Sequence, residues 1–406
     1  MEQSRPDHQY LSHPKHQPVK PDDLSHILNH LGEDREAGYN AVVPPIAQSG
    51  NFTYPTVEAL RNAMRHEFDV PLYTRGANPT VSIVRKKLAA LEHAEDALLF
   101  SSGSAAIAAG VMSFVKAGDH IVCVKKPYSW TTKLLSELLV RFNVSTTYVD
   151  GTDAENFRRA ITPETKLIIL ESPNSITLEL QDLRAVAAIA KEHGILTLCD
   201  NSYSSPLFQN PIDLGIDLVA HSGTKYLNGH SDVVCGVLAG PKEHIRQVMA
   251  KEFMTLGAAP SPHDAWLLMR GLRTLELRVH RSADSAEKVA HFLEAHPKIA
   301  QVNWPFLKSF PQEQLARKQM KRCAGLMSIR VKADDMAGVE RFCNGLQRFL
   351  MAVSWGGYES LQFPTAAVIG PDMPKSELPW DLVRIYVGLE DPEALIADLE
   401  QALALV

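Results

Sequence analysis

Leu218-Val219-Ala220-His221-Ser222-Gly223-Thr224-Lys225-Tyr226 is a short apolar run that ends in a lysine, with hydroxyl residues one and three positions before it. A second run, Ile195-Leu196-Thr197-Leu198-Cys199-Asp200-Asn201, ends in a carboxylate. Both read as buried strands whose polar ends face a common site, because continuous apolar runs of this length suit strands covered on both faces. Each residue also has a plainer reading. Lys225 could be a solvated strand end, and Asp200 an N-cap for the segment that follows. The two together carry the argument.

Outward from this pair the same pattern repeats. Ala97 to Phe100, His120 to Val124, Val144 to Val149, Lys166 to Leu170, Ile195 to Leu198, Leu218 to Ala220 and Val233 to Ala239 are strand-length apolar runs. Helix-like stretches separate most of them: Ala105 to Val115, Lys133 to Arg141, and Leu183 to His193, with Asp182 as N-cap and Gly194 just past the end. Strands alternating with helices predict an α/β fold with a large, mostly parallel, doubly wound sheet of seven strands. Ligands in such sheets lie beyond the carboxyl ends of the strands, where Asp200 and Lys225 fall.

After about residue 257 the text changes. A long helical stretch is expected from Pro262 to Leu293. Short strands follow at Leu326 to Val331, Phe349 to Val353 and Leu382 to Val387, with helices at Met336 to Leu346 and Pro392 to Leu403. This predicts a smaller C-terminal α+β domain with an antiparallel sheet. The expected division is an N-terminal arm over 1–59, a large domain over 60–256 and the C-terminal domain over 257–406. In the arm, Pro6, Pro14, Pro18 and Pro21 interrupt any periodicity. Leu24, Ile27, Leu28 and Leu31 then form the stripe of a short helix stopped by Gly32, and residues 38–54 read as an extended segment wrapping over something else.

Composition bounds the function. A chain of 406 residues with 45% hydrophobic residues can bury two domains' worth of core, and a net charge of −6 offers no basic footprint for nucleic acid or an anionic membrane. The N-terminus has no apolar leader and no stretch is long enough to span a bilayer, so a cytoplasmic protein is expected. Cys123, Cys199, Cys235, Cys323 and Cys343 are scattered without metal or redox spacing and read as buried free thiols. His8, His13, His16, His26 and His30 are irregularly spaced, which suits solvated side chains better than a metal site.

Four further motifs bear on chemistry. Ser101-Ser102-Gly103-Ser104 joins a strand to a small-residue helix, where exposed N–H groups could cradle a phosphate; an ordinary strand-to-helix turn is the alternative. Tyr128, just past a strand, could stack on a ring or simply lie on the surface. Tyr73-Thr74-Arg75 begins a polar loop whose arginine suits bidentate phosphate recognition, or a solvated turn. Arg384 is a charge inside the apolar run 382–386, fit either to clamp a substrate carboxylate or to make a structural salt bridge. An imine-forming lysine, phosphate-binding hydroxyls and a carboxylate for a pyridinium nitrogen are together the requirements of pyridoxal 5′-phosphate.

The same residues resemble the Cys/Met-metabolism family of pyridoxal-phosphate enzymes of fold type I, from about Gly38 to the C-terminus. The likeness is carried by Tyr73-Thr74-Arg75 with Asn78-Pro79-Thr80, Asp200-Asn201, Ser222-Gly223-Thr224-Lys225-Tyr226 with Gly229-His230-Ser231-Asp232, Arg270-Gly271-Leu272 with Thr274-Leu275, and Arg384. It implies that Lys225 carries the cofactor as an imine, Asp200 pairs with the pyridine nitrogen and Tyr128 stacks on the ring. Gly103, Ser104, Ser222 and Thr224 would bind the phosphate, with Tyr73 and Arg75 supplied by a neighbouring subunit of a homotetramer. Arg384, helped by Ser354, would bind the α-carboxylate of a sulfur amino acid. Ser175-Ile176, where γ-type members usually carry Asn-Pro, and Ser354-Trp355-Gly356-Gly357-Tyr358-Glu359-Ser360 look like bacterial cystathionine β-lyases. The implied activity is therefore a carbon–sulfur β-lyase cleaving L-cystathionine to homocysteine, pyruvate and ammonia. A γ-type member of the family is the alternative, and a non-catalytic relative that binds the cofactor a remote one.

Overall fold

A computed structural model describes residues 23–369 and 378–406. Residues 1–22 of the arm, with Pro6, Pro14, Pro18, Pro21, His8, His13 and His16, lie outside the described residues. Seven strands form the large sheet: β1 (Asp96–Phe100), β2 (His120–Val124), β3 (Ser145–Val149), β4 (Thr165–Glu171), β5 (Leu196–Asp200), β6 (Leu218–Ser222) and β7 (Gly236–Gly240). Their order is β1-β7-β6-β5-β4-β2-β3, and β7 alone runs antiparallel to its neighbours. Every residue of β2 and of β7 is buried, which is why these strands read as unbroken apolar runs.

The smaller sheet has five strands: β8 (Ile299–Asn303), β9 (Leu326–Val331), β10 (Leu350–Met351), β11 (Leu361–Pro364) and β12 (Leu382–Tyr386). Their order is β10-β11-β12-β9-β8, antiparallel except for the β10–β11 pair. The fold is thus α/β, a mostly parallel seven-stranded sheet with a second, smaller sheet toward the C-terminus. Among the described residues no helix is long and apolar enough to cross a membrane.

Three expectations need correction. The helix expected from Pro262 to Leu293 is two helices, Pro262–Leu272 and Leu275–Ala295. Between them the Arg278 guanidinium donates to the Gly271 carbonyl (2.8 Å) and the Tyr226 carbonyl (3.0 Å), and its Nε donates to the Thr274 hydroxyl (3.0 Å). The helix expected from Lys133 to Arg141 is irregular, with wide turns over Leu134–Leu138 and tight turns over Leu139–Phe142. The helix Pro79–Leu91 was not anticipated: Asn78 caps it, and the buried Lys87 interrupts its apolar stripe.

Lys87 is buried for a reason. Its ammonium donates to the carbonyls of Ile27 (3.0 Å) and Leu28 (3.2 Å) and pairs with the equally buried Glu33 at 3.1 Å, which fixes the short helix Leu24–Asn29 to the body of the protein. Arg273 approaches the same carboxylate at 3.2 Å. The segment after this helix crosses the helices Pro79–Leu91 and Pro262–Leu272, with Ala47 N–H donating to the Thr80 hydroxyl and Trp266 donating to the Pro44 carbonyl. An extended wrap is what the sequence predicts there.

Candidate active site

Glu171, Asp200 and Ser222 are the last residues of the adjacent strands β4, β5 and β6, so three polar side chains emerge side by side at one sheet edge. Asp200 is held by Ser202, whose N–H (2.9 Å) and hydroxyl (2.6 Å) both donate to Oδ1. The same Ser202 oxygen accepts the Ser222 N–H at 2.7 Å, which locks the two strand ends together.

Opposite Ser222 lies the start of the helix Gly103–Met112, capped by Ser102. Two missing side chains allow this approach. A Cβ at Gly236 would fall 2.0 Å from the Ser102 carbonyl oxygen, and one at Gly103 would fall 2.9 Å from the Ser222 Cα. The first-turn N–H groups of Gly103 and Ser104 have no partner within the helix, and the Ser222 hydroxyl lies close to Gly103. Thr224 is placed differently: its hydroxyl donates to the Cys235 carbonyl (3.2 Å) and accepts the Cys235 N–H (3.1 Å).

Lys225 comes next. Its Nζ donates to the Ser354 hydroxyl at 2.7 Å and stands 5.7 Å from the Trp355 ring centre. Burial, and then the positive charge of Arg384, bring its pKa down to about 8, against the opposing pull of Asp200. Ser354 has a positive φ of 78°, a strained conformation for a residue with a side chain. Gly356 packs the same loop against the lysine backbone, since a Cβ there would meet the Tyr226 nitrogen at 2.7 Å.

Arg384 reaches the same loop, donating to the carbonyls of Ser354 (3.2 Å) and Ser175 (3.5 Å), with its guanidinium 5.3 Å from the Phe363 ring centre. Among the described residues no carboxylate forms an ion pair with it, so the structural salt bridge is not what holds it. Burial draws its pKa down to about 10, and it remains a cation at neutral pH.

Tyr128 is 41% exposed, and its backbone N–H donates to Glu171 Oε2 at 2.5 Å. Tyr73 and Arg75 lie together, the guanidinium 5.4 Å from the tyrosine ring centre. Sequence reading missed Ser202, Glu171 and Trp355 as parts of the site. A signal existed for Glu171, which ends an apolar strand just as Asp200 does.

A buried lysine amine in the field of Asp200, a helix start beside the Ser222 hydroxyl and a guanidinium that among the described residues has no ion-pair partner suit a phosphorylated aldehyde and an amino acid. Pyridoxal 5′-phosphate fits these residues, because the helix start that Gly103 lets approach the Ser222 hydroxyl and the lysine amine with its lowered pKa are what its two ends require. The chain belongs to the family described as "Cys/Met metabolism PLP-dependent enzyme", matched over residues 26–404. It is 42% identical to L-methionine gamma-lyase of Treponema denticola over 90% of this chain and 93% of that one. It is 36% identical to cystathionine gamma-lyase of Bos taurus, over 92% of each chain. Its structure resembles the crystal structure of metB from Corynebacterium glutamicum with a TM-score of 0.89 at 36% identity, covering 95% of this chain and 99% of that one.

These relatives do not favour the β-lyase expectation. Ser175 meets its neighbours through its backbone, the N–H donating to Glu171 and the carbonyl accepting from Arg384, and through its hydroxyl, which also acts on Glu171.

Proposed function

We propose that this chain is a carbon–sulfur lyase of the γ type, releasing a thiol from the γ-carbon of a thioether amino acid such as L-methionine, with 2-oxobutyrate and ammonia as the other products. The choice of γ over β rests on the relatives, among them L-methionine gamma-lyase and cystathionine gamma-lyase. The geometric observation that carries the amino-acid reading is the single loop at Ser354, whose hydroxyl holds the Lys225 amine and whose carbonyl holds the Arg384 guanidinium.

In this reading Gly103 and Ser104 N–H groups and the Ser222 hydroxyl hold the cofactor phosphate, with Thr224 behind them, while Asp200 faces the pyridine nitrogen and Tyr128 the ring. Pyridoxal phosphate, when bound, supplies an electron sink for charge developing beside the substrate's α-carbon. Arg384, which among the described residues makes no ion pair, binds the α-carboxylate and fixes the amino acid's orientation. Chemistry at Cγ needs protons taken in turn from Cα and Cβ. An amine with a pKa of about 8 at Lys225 Nζ can take and return them near neutral pH. Tyr73 and Arg75 act across a subunit boundary on a second copy's phosphate site, within a homotetramer.

Incubation with L-methionine and with L-cystathionine tests the assignment. Release of 2-oxobutyrate from either is expected. Pyruvate from cystathionine without 2-oxobutyrate would restore the β-lyase reading. Turnover only when a second thiol substrate is added would replace elimination by γ-substitution.

A further inference from the structure

Glu171 is 5% exposed, yet among the described residues it has no ion-pair partner. A buried carboxylate needs donors, and N–H groups from two separate loops supply them, Tyr128 on Oε2 (2.5 Å) and Ser175 on Oε1 (2.8 Å), with the Ser175 hydroxyl also acting on it. Each loop leads into the site. Tyr128 opens the helix Ser129–Lys133, and the Ser175 carbonyl accepts from Arg384 Nη1 at 3.5 Å. The strand below is pinned as well, since the Glu171 N–H donates to Gln181 Oε1 at 3.1 Å.

We propose that Glu171 is a positioning residue whose two oxygens set the Tyr128 ring and the Ser175–Arg384 contact in register with each other. The inference deepens the functional reading above and rests on it. Two N–H donors on one carboxylate make the arrangement sensitive to the loss of a single acceptor. In Glu171→Gln the shape is kept but one side-chain terminus becomes a donor, so the amide can serve Tyr128 or Ser175 and not both. The charges facing Glu171 are Asp200 on the neighbouring strand and Arg384 across the site. Neither touches the two N–H groups.

A double-mutant cycle tests this without recourse to turnover. Cofactor-free wild type, Glu171→Gln, Tyr128→Ala and the double variant are titrated with pyridoxal phosphate, following the absorbance of the lysine-bound form. Glu171→Gln is expected to weaken binding about tenfold, or about 1.4 kcal/mol. In the Tyr128→Ala background, where there is no ring left to position, it should weaken binding less than about twofold. Equal weakening in both backgrounds, or none in the first, would overturn the proposal. Failure of the wild type itself to bind would overturn the cofactor assignment instead. If circular dichroism shows Glu171→Gln unfolded, Glu171→Asp takes its place in the cycle under the same criteria.

Discussion

The state of the Lys225 amine can be measured directly. With a pKa of about 8, roughly one molecule in ten carries a free amine at pH 7, whereas an ordinary lysine near 10.5 would show about one in 3,000, so the fold gains about 300-fold in reactive amine. Two charges bear on this value with opposite sign. Arg384 disfavours the protonated lysine, so Arg384→Met should raise the pKa and reduce the free amine; Asp200 favours it, so Asp200→Asn should lower the pKa. Burial is the larger cause, and Arg384→Met should therefore recover only part of the distance to 10.5. The assay is trace acetylation of cofactor-free protein across pH 6 to 11, quantified by mass spectrometry on the peptide carrying Lys225. A midpoint near 10.5 in the wild type, or a fall in the midpoint of Arg384→Met, would refute the electrostatic reasoning.

Three other outcomes are expected. Lys87→Met leaves Glu33 buried with Arg273 and Arg35 as its remaining partners, a loss of about 1 to 3 kcal/mol, which for a chain of this size lowers the melting temperature by roughly 1 to 4 °C; adding Glu33→Gln should restore part of it, and a shift under about 1 °C would show the pair to be inert. Gly103→Ala places a methyl against Ser222, at an overpacking cost of about 1 to 3 kcal/mol, and should weaken pyridoxal phosphate binding about tenfold or more; unchanged affinity by titration would remove the cradle from the phosphate site. Arg384→Leu should raise KM for the amino acid by about a hundredfold or more, as expected for a lost charge-assisted bidentate contact, while leaving cofactor absorbance in place; an unchanged KM would remove Arg384 from substrate binding.

Much of this was legible in the chain because the large sheet is buried on both faces. The strand His120–Val124 is buried at every position and apolar after His120, whose ring is hydrogen-bonded to the Thr147 and Thr165 hydroxyls, so its text is unmistakable. Strands Ile299–Asn303 and Leu361–Pro364 escaped notice because they are short and mix polar with apolar residues. Lys225 and Asp200 stood out as charges that end such runs. Glu171 ends one too, but its partners are backbone N–H groups at Tyr128 and Ser175, and no pattern of side chains announces a bond to a backbone. Thr224, read as a phosphate ligand from its place beside the lysine, exchanges hydrogen bonds with the Cys235 backbone through its hydroxyl.

The Arg278 guanidinium carries a lesson about heredity. It grips Tyr226 on the lysine loop and Gly271 in the C-terminal third of the chain, and it fills the space where a side chain at Gly229 would stand, 1.6 Å from Nη1. Crossovers that joined the front of this protein to the back of a distant cousin would have to bring Gly229, Gly271 and Arg278 along as a set. Chimeras that split the trio should emerge with a misplaced lysine, however well each parental portion folds.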